Sequence, residues 1–209
     1  MKNICMKTIL IDMYGVILNE SKGNFIPYTF NYFDSIHHER LTLQIRNEGL
    51  FSKAQIGEIS SNEFLHILGY DDPQYHMKNY IENYLTLDEG FISFAEKYHK
   101  IYDFVLLSND VAEWSTYITE YYNLNKFFKA KIVSGNIGYK KPDRKIFDIA
   151  LTQIGKRPEN CLFVDNSVEN LKAAERMGLK NVLFNRDNEI YDGAVVYSFS
   201  ELDKILQSL

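Results

Sequence analysis

Cysteine and proline are scarce in this chain. Its 209 residues include two cysteines, Cys5 and Cys161, and four prolines. Two cysteines are too few for a disulfide framework or a cysteine metal site, and both lie in apolar stretches where a thiol acts as a small hydrophobic side chain. A chain of this length can fold by burying its own apolar surface. We therefore expect a protein of a reducing compartment, the cytoplasm.

Concentrated positive charge and long apolar runs are missing as well. Lysine and arginine total 23 against 28 aspartates and glutamates, which gives a formal net charge of −5. Binding to nucleic acids or anionic membranes requires a concentrated basic face, and a membrane span requires about 18 consecutive apolar residues. Neither feature occurs, and no signal-peptide pattern precedes residue 8. The composition predicts a soluble, unprocessed protein that binds neither nucleic acid nor membrane.

Four short apolar runs, each ending in a polar residue, indicate buried strands. They cover residues 8–13, 104–107, 162–164 and 182–184. Apolar runs without alternation are typical of parallel strands covered on both faces. Helical spacing of apolar residues over 146–154 and 168–177 separates the later runs. The sequence therefore predicts an α/β fold with a doubly wound, Rossmann-like parallel sheet.

The segment from residue 19 to residue 88 contains no comparable strand run. It is too long for a bare connection, since structureless loops beyond about 15 residues are uncommon. Apolar residues are spaced among charged ones throughout it, as in amphipathic helices. We expect an inserted α-helical cap domain over 19–88 and a core domain formed by 1–18 and 89–209.

Polar residues close the predicted strands or precede the next helix. Because ligands bind outside the carboxyl ends of parallel strands, we expect these side chains to share one crevice. Two carboxylates, a hydroxyl and an ammonium group there would suit covalent catalysis on an anionic substrate. The residues are Asp12, Ser108, Asn109, Lys141, Asp165 and Asn166.

The order and form of these groups resemble the haloacid dehalogenase (HAD) superfamily of hydrolases with a helical cap of the first type. The four motifs appear as Ile11-Asp12-Met13-Tyr14-Gly15, Leu107-Ser108-Asn109, Lys141-Pro142-Asp143 and Val164-Asp165-Asn166-Ser167. The segment Gly57-Glu58-Ile59-Ser60 with Glu63-Phe64 is similar to the caps of sugar-phosphate phosphatases and of the phosphatase domain of soluble epoxide hydrolase. That segment is also consistent with a turn followed by a capping box.

The resemblance implies a role for each motif residue. Asp12 would be the nucleophile, Ser108 and Asn109 would bind the transferring group, and Lys141 would stabilise the charges of both. Mg²⁺ would be held through oxygen by Asp12, the main-chain carbonyl of Tyr14, Asp165 and Asn166. Asn166 replaces a carboxylate often found at its position in the family, which implies weaker Mg²⁺ binding.

Tyr14 is the main departure from the phosphatase pattern. Phosphatases of the superfamily carry at this position an aspartate that protonates the leaving alcohol and then activates water. A phenol with a pKa of about 10 can donate a proton at neutral pH but is a poor base. Loss of general acid–base assistance typically costs about 10²–10⁴ in rate. A deficit would therefore fall on hydrolysis of the aspartyl intermediate.

Three functions stay open on the sequence. The first is a slow Mg²⁺-dependent phosphatase of a small phosphorylated metabolite. The second is a 2-haloacid dehalogenase without metal, because those enzymes also carry Tyr-Gly at 14–15. The third is a catalytically impaired protein that binds a phosphorylated ligand or a partner. Asp165 favours the first, because a haloacid carries only one negative charge and gains nothing from a second carboxylate. The sequence allows a monomer or a homodimer.

Overall fold

A six-stranded parallel sheet forms the centre of the protein, whose computed structural model describes residues 7–208. The strands are β1 (Thr8–Ile11), β2 (Asp103–Ser108), β3 (Phe128–Val133), β4 (Cys161–Asp165), β5 (Lys180–Phe184) and β6 (Ala194–Val196). Their spatial order is β3-β2-β1-β4-β5-β6, and all neighbouring pairs are parallel. The predicted α/β fold is thereby confirmed.

The four predicted strands are β1, β2, β4 and β5, which lie in the interior of the sheet. All four residues of β1 are buried because helices cover both faces. The two edge strands, β3 and β6, were not predicted. Exposed Lys129 and Lys131 alternate with less exposed residues in β3, and β6 has only three residues. Edge strands carry polar side chains of this kind, so they lack the apolar run of a central strand.

Six helices follow the insertion. They are α6 (Glu89–Tyr98), α7 (Ala112–Tyr121), α8 (Ser134–Ile137), α9 (Arg144–Ile154), α10 (Val168–Glu175) and α11 (Phe199–Gln207). Helices α9 and α10 confirm the predicted helical spacing. Asp143 is the N-cap of α9 and accepts a hydrogen bond from the Lys145 N–H at 2.9 Å. Pro142 therefore precedes the helix, after a cis peptide bond from Lys141.

The chain between β1 and α6 is helical. It contains α1 (Phe25–Tyr32), α2 (His38–Thr42), α3 (Leu50–Gln55), α4 (Ser61–Leu68) and α5 (Pro73–Tyr84), with a 3₁₀ turn over Ser35–His37 and a π turn over Leu43–Asn47. The predicted capping box starts α4, with Ser60 and Glu63 bonded reciprocally. The centres of the Phe25 and Trp114 rings lie 5.2 Å apart. The inserted helix α1 therefore packs against α7.

The sheet order places β1 between β2 and β4. The chain passes from β1 to β2 on one side and returns from β3 to β4 on the other side of β1. This change of direction opens a crevice beyond the carboxyl ends of the strands. The loops that follow β1, β2 and β4 therefore converge there. Within residues 7–208 no helix is long and apolar enough to cross a bilayer. Cys5 lies outside the described residues.

Candidate active site

A cavity of about 460 Å³ opens at the carboxyl ends of the strands. The loops after the strands supply a mostly polar floor, and the inserted helices supply an aromatic wall. Its lining residues include Asp12, Tyr14, Asn109, Lys141, Asn166 and Asn170 from the floor, and Phe25, Phe51, Gln55 and Tyr80 from the wall. The volume lies within the range of small-molecule sites, about 300–1,000 Å³.

Lys141 joins two carboxylates at the bottom of this cavity. Its Nζ lies 2.8 Å from Asp12 Oδ1 and 2.7 Å from Asp165 Oδ2, and donates to the Leu107 carbonyl at 2.7 Å. The Lys141 side chain is 1% exposed and that of Asp165 is fully buried. The sequence-predicted residues 12, 141 and 165 are therefore brought together, with one positive and two negative formal charges.

Both oxygens of Asp165 accept hydrogen bonds from neighbouring groups. Its Oδ1 accepts from the Ser167 N–H at 2.8 Å and from Asn170 Nδ2 at 3.1 Å. Its Oδ2 accepts from Lys141 Nζ at 2.7 Å and from Asn170 Nδ2 at 3.3 Å. Asp165 is thus tied to Lys141 and to the start of α10, and its role as a metal ligand stays a prediction.

Burial and the neighbouring charges shift the pKa values of both Asp12 and Lys141. Burial raises the pKa of Asp12 to about 7; Lys141 opposes this shift and Asp165 adds to it. Burial also opposes the charge of Lys141, but the two carboxylates outweigh it and hold the Lys141 pKa above its usual value. Lys141 is therefore positively charged at neutral pH, and it is the carboxylate of Asp12 that the site disfavours.

The two polar residues at the end of β2 have different surroundings. The Ser108 Oγ is buried and has no hydrogen-bond partner among residues 7–208. Asn109 braces the neighbouring loop, since its Nδ2 donates to the Lys141 carbonyl at 2.8 Å and its Oδ1 accepts from the Lys141 N–H at 2.7 Å. Asn109 thus fixes the main chain that carries the lysine.

Tyr14 lines the cavity, and its hydroxyl is held by a neighbouring carboxyl. The Tyr14 hydroxyl donates to Asp110 Oδ1 at 3.3 Å. Burial, with the nearby Asp110 and Tyr80, raises the Tyr14 pKa well above its usual value. Burial likewise raises the pKa of Asp110 far above the usual range of a carboxyl. Tyr14 therefore keeps its proton at neutral pH and cannot act as a base there.

Comparison with known proteins decides the family. A model of the haloacid dehalogenase-like hydrolases matches residues 6–178. The chain belongs to this family. It is thus a HAD-type hydrolase, as the four motifs predicted, whereas the branch suggested by residues 57–64 stays a prediction.

Individual HAD proteins resemble the chain over different lengths. A glyceraldehyde 3-phosphate phosphatase from Methanothermobacter thermautotrophicus is 28% identical over 120 residues, covering 51% of this chain and 52% of the relative. The chain spans about half or less of the length of the curated relatives it matches.

Solved HAD structures share the fold. A HAD family enzyme from Bacteroides thetaiotaomicron, in complex with magnesium and inorganic phosphate, superposes with a TM-score of 0.73 at 20% identity, covering 90% of this chain and 98% of that one. A 2-haloacid dehalogenase from Pseudomonas syringae pv. Tomato DC3000 gives a TM-score of 0.70 at 14% identity, covering 97% of this chain and 99% of that one. The fold alone therefore does not separate phosphatase from dehalogenase.

The donor atoms at the cavity suit a hard divalent cation. Asp12 offers an oxygen, Oδ2, that accepts no hydrogen bond from residues 7–208, and Asn166 is a neutral oxygen donor on the same floor. Mg²⁺ is usually bound by one or two carboxylates, with water and substrate phosphate completing its shell. No cluster of three histidine, cysteine or acidic side chains occurs in the described part of the chain. The oxygen donors of the site therefore fit Mg²⁺, with the Asp12 carboxylate among them.

Several cavity residues were not predicted from the sequence. Phe25, Phe51 and Gln55 reach the cavity only because the inserted helices fold over it. Gln55 Nε2 donates to the Asn109 carbonyl at 3.3 Å. No local sequence pattern predicts this contact. Asp110, which accepts from the Tyr14 hydroxyl, was not predicted either, although it directly follows Ser108-Asn109 at the end of a predicted strand.

Proposed function

We propose that this HAD hydrolase is a Mg²⁺-dependent phosphatase of a small phosphorylated metabolite, acting through an aspartyl-phosphate at Asp12, with residues 19–88 as its cap. One observation supports it most: Asp12 lies at the floor of a metabolite-sized cavity, 2.8 Å from a buried lysine. The cavity also has an aromatic wall that would hold the organic part of the substrate.

Asp12 forms the new bond in this reaction. One oxygen of its carboxylate attacks phosphorus, the bond from phosphorus to the ester oxygen breaks, and the leaving alkoxide takes up a proton from water. Water then attacks the phosphorus of the aspartyl-phosphate, which releases inorganic phosphate and restores the carboxylate. Lys141 stabilises negative charge at the attacking oxygen and on the phosphoryl group.

Electrostatics favours a divalent cation in this reaction. Asp12, Lys141 and Asp165 together carry a formal charge of −1, and a phosphate dianion would add to it. Mg²⁺, when bound, neutralises the phosphoryl oxygens and favours the ionised form of Asp12. Asp12, the Tyr14 carbonyl, Asp165 and Asn166 would hold it. Asp165 would also keep the Lys141 ammonium charged and oriented.

Ser108 and Asn109 would serve the transferring group in different ways. The unpartnered Ser108 Oγ needs an acceptor, since an unsatisfied buried hydroxyl costs about 1–3 kcal/mol. A phosphoryl oxygen would supply one. Asn109 would contribute by holding the Lys141 main chain.

Tyr14 limits the second half of the reaction. Its phenol keeps its proton and donates a hydrogen bond to Asp110, so it takes no proton from an attacking water. We expect formation of the aspartyl-phosphate to outpace its hydrolysis by about 10²–10⁴, the typical worth of a general base. The enzyme would then show a burst of product followed by slow turnover.

The test is a panel of phosphate monoesters with purified protein, Mg²⁺ or EDTA, and Asp12→Asn as the matched control. Mg²⁺-dependent phosphate release that Asp12→Asn abolishes supports the proposal. Turnover that survives Asp12→Asn contradicts it. Tyr14→Asp supplies the missing carboxyl, and it should raise the steady-state rate more than the size of the burst.

The dehalogenase function is the second candidate, favoured by the pair Tyr14-Gly15, which the sequence shares with those enzymes. Halide release from 2-haloacids in EDTA would establish it in place of the phosphatase. Absence of both activities, together with binding of phosphate esters, would instead indicate a catalytically impaired ligand-binding protein.

A further inference from the structure

Arg186 contacts the loop that follows the nucleophile. It lies just beyond the end of β5, and its guanidinium rests 4.9 Å from the centre of the Phe184 ring. Its Nε donates to the Gly15 carbonyl at 3.0 Å, and its Nη2 donates to the Val16 carbonyl at 3.2 Å. One side chain therefore holds two consecutive carbonyls of the loop over residues 13–18.

The same guanidinium is paired with Asp88, where the chain returns from the inserted helices. Asp88 caps α6 by accepting from the Gly90 N–H at 2.8 Å, and its own N–H donates to the Ile17 carbonyl at 2.9 Å. The ion pair is about one-fifth exposed on each side. Arg186 thus links the β1 loop, the β5 loop and the exit from the insertion.

The loop over residues 13–18 is sterically restricted at Gly15. Gly15 adopts a φ of +75°, and a Cβ there would lie 2.4 Å from Asn166 Nδ2. Tyr14, one residue earlier, lines the cavity. A shift of this loop would therefore change both the cavity floor at Tyr14 and the packing of Gly15 against Asn166.

We propose that Arg186 is a positioning residue that fixes the loop over 13–18 and couples it to the exit of the inserted helices at Asp88. Arginine suits this role, since its planar guanidinium presents several donors in a fixed geometry, whereas a lysine is a single point charge. Displacement of the inserted helices would either break the Asp88 pair or pull on the loop through Arg186. The effect on substrate binding rests on the proposed phosphatase function; the effect on the loop does not.

Hydrogen exchange measured by mass spectrometry tests the loop directly. Three variants separate the contacts: Arg186→Met removes all of them, Arg186→Lys keeps the charge, and Asp88→Asn keeps the two carbonyl contacts. In Arg186→Met we expect exchange over 13–18 to rise by about tenfold, while α9 is unchanged, because opening is local. Arg186→Lys should lie between Arg186→Met and the parent protein. Asp88→Asn should raise exchange at 86–90 and leave 13–18 nearly unchanged.

A binding measurement adds the functional side. Calorimetric titration of inorganic phosphate in the presence of Mg²⁺ should show affinity about tenfold weaker in Arg186→Met, in line with the coupling energies of packed networks. Unchanged exchange over 13–18 in Arg186→Met would overturn the proposal. A uniform rise across the whole chain would also overturn it, because that is the behaviour of an ordinary stabilising ion pair. If exchange over 13–18 rises in Arg186→Met but the parent protein binds no phosphate, the phosphatase function is wrong and the positioning role of Arg186 is retained.

Discussion

Removal of the ammonium group at Lys141 should reveal the electrostatic balance of the site. Lys141 is 1% exposed and neutralises one of two carboxylates that lie within 2.8 Å of it. In Lys141→Met, two buried carboxylates face each other without a cation. Breaking a buried ion pair by removing one partner typically costs about 3–5 kcal/mol. Because Asp12 can take up a proton, we expect the lower end, about 3 kcal/mol, at pH 7.5.

The cost should depend on pH. In the parent protein the pKa of Asp12 is already raised to about 7, and loss of Lys141 would raise it further. A carboxyl whose folded-state pKa is raised contributes stability below its unfolded pKa, and that contribution is lost as pH rises toward the folded pKa. Lys141→Met should therefore lose more stability relative to the parent at pH 7.5 than at pH 5.

Equilibrium unfolding in urea, in phosphate-free buffer with EDTA, measures both quantities. In an Asp12→Asn background the cost of Lys141→Met should fall by about 1–3 kcal/mol, the usual coupling of groups in one network. Lys97→Met, which breaks an exposed pair with Asp203, is the control and should change stability little. A Lys141→Met cost below about 1 kcal/mol at pH 7.5, or one equal at both pH values, would refute the electrostatic reasoning.

Three further changes probe separate parts of the structure. Asn166→Asp adds a carboxylate to the cavity floor and should tighten Mg²⁺ binding about tenfold by calorimetry, since ligand charge sets cation affinity; unchanged affinity would place the cation elsewhere. Gly57→Ala puts a Cβ 2.3 Å from the Gly135 carbonyl oxygen at a φ of +72°, whereas Gly49→Ala has the same sign of φ (+69°) and open space. Gly57→Ala should therefore lower the thermal midpoint clearly more than Gly49→Ala, and equal losses would contradict the close approach. Asp110→Asn should gain stability relative to the parent as pH rises from 5 to 9, because burial raises the Asp110 pKa and its ionisation is unfavourable in the folded state; a difference that does not vary with pH would argue against this.

The fold was largely predictable because the central strands are buried on both faces. Residues 8–11 and 161–165 have few alternatives to a covered parallel strand, and their polar ends reveal the crevice. The edge strands escaped prediction because Lys129 and Lys131 break the apolar pattern. Helix α4 was predictable because the capping box of Ser60 and Glu63 marks its beginning.

The chain by itself determined which chemical groups meet at the carboxyl edge of the sheet. Residues 12, 108, 141 and 165 each close a strand or precede a helix, and parallel strands end at one edge. Their division of labour was decided only by tertiary structure. Asp165 is paired with Lys141, the Tyr14 hydroxyl donates a hydrogen bond to Asp110, and Arg186 reaches back across 170 residues to the β1 loop. These roles depend on hydrogen-bond directions and on burial, which arise between segments distant in sequence, so no local pattern of residues encodes them.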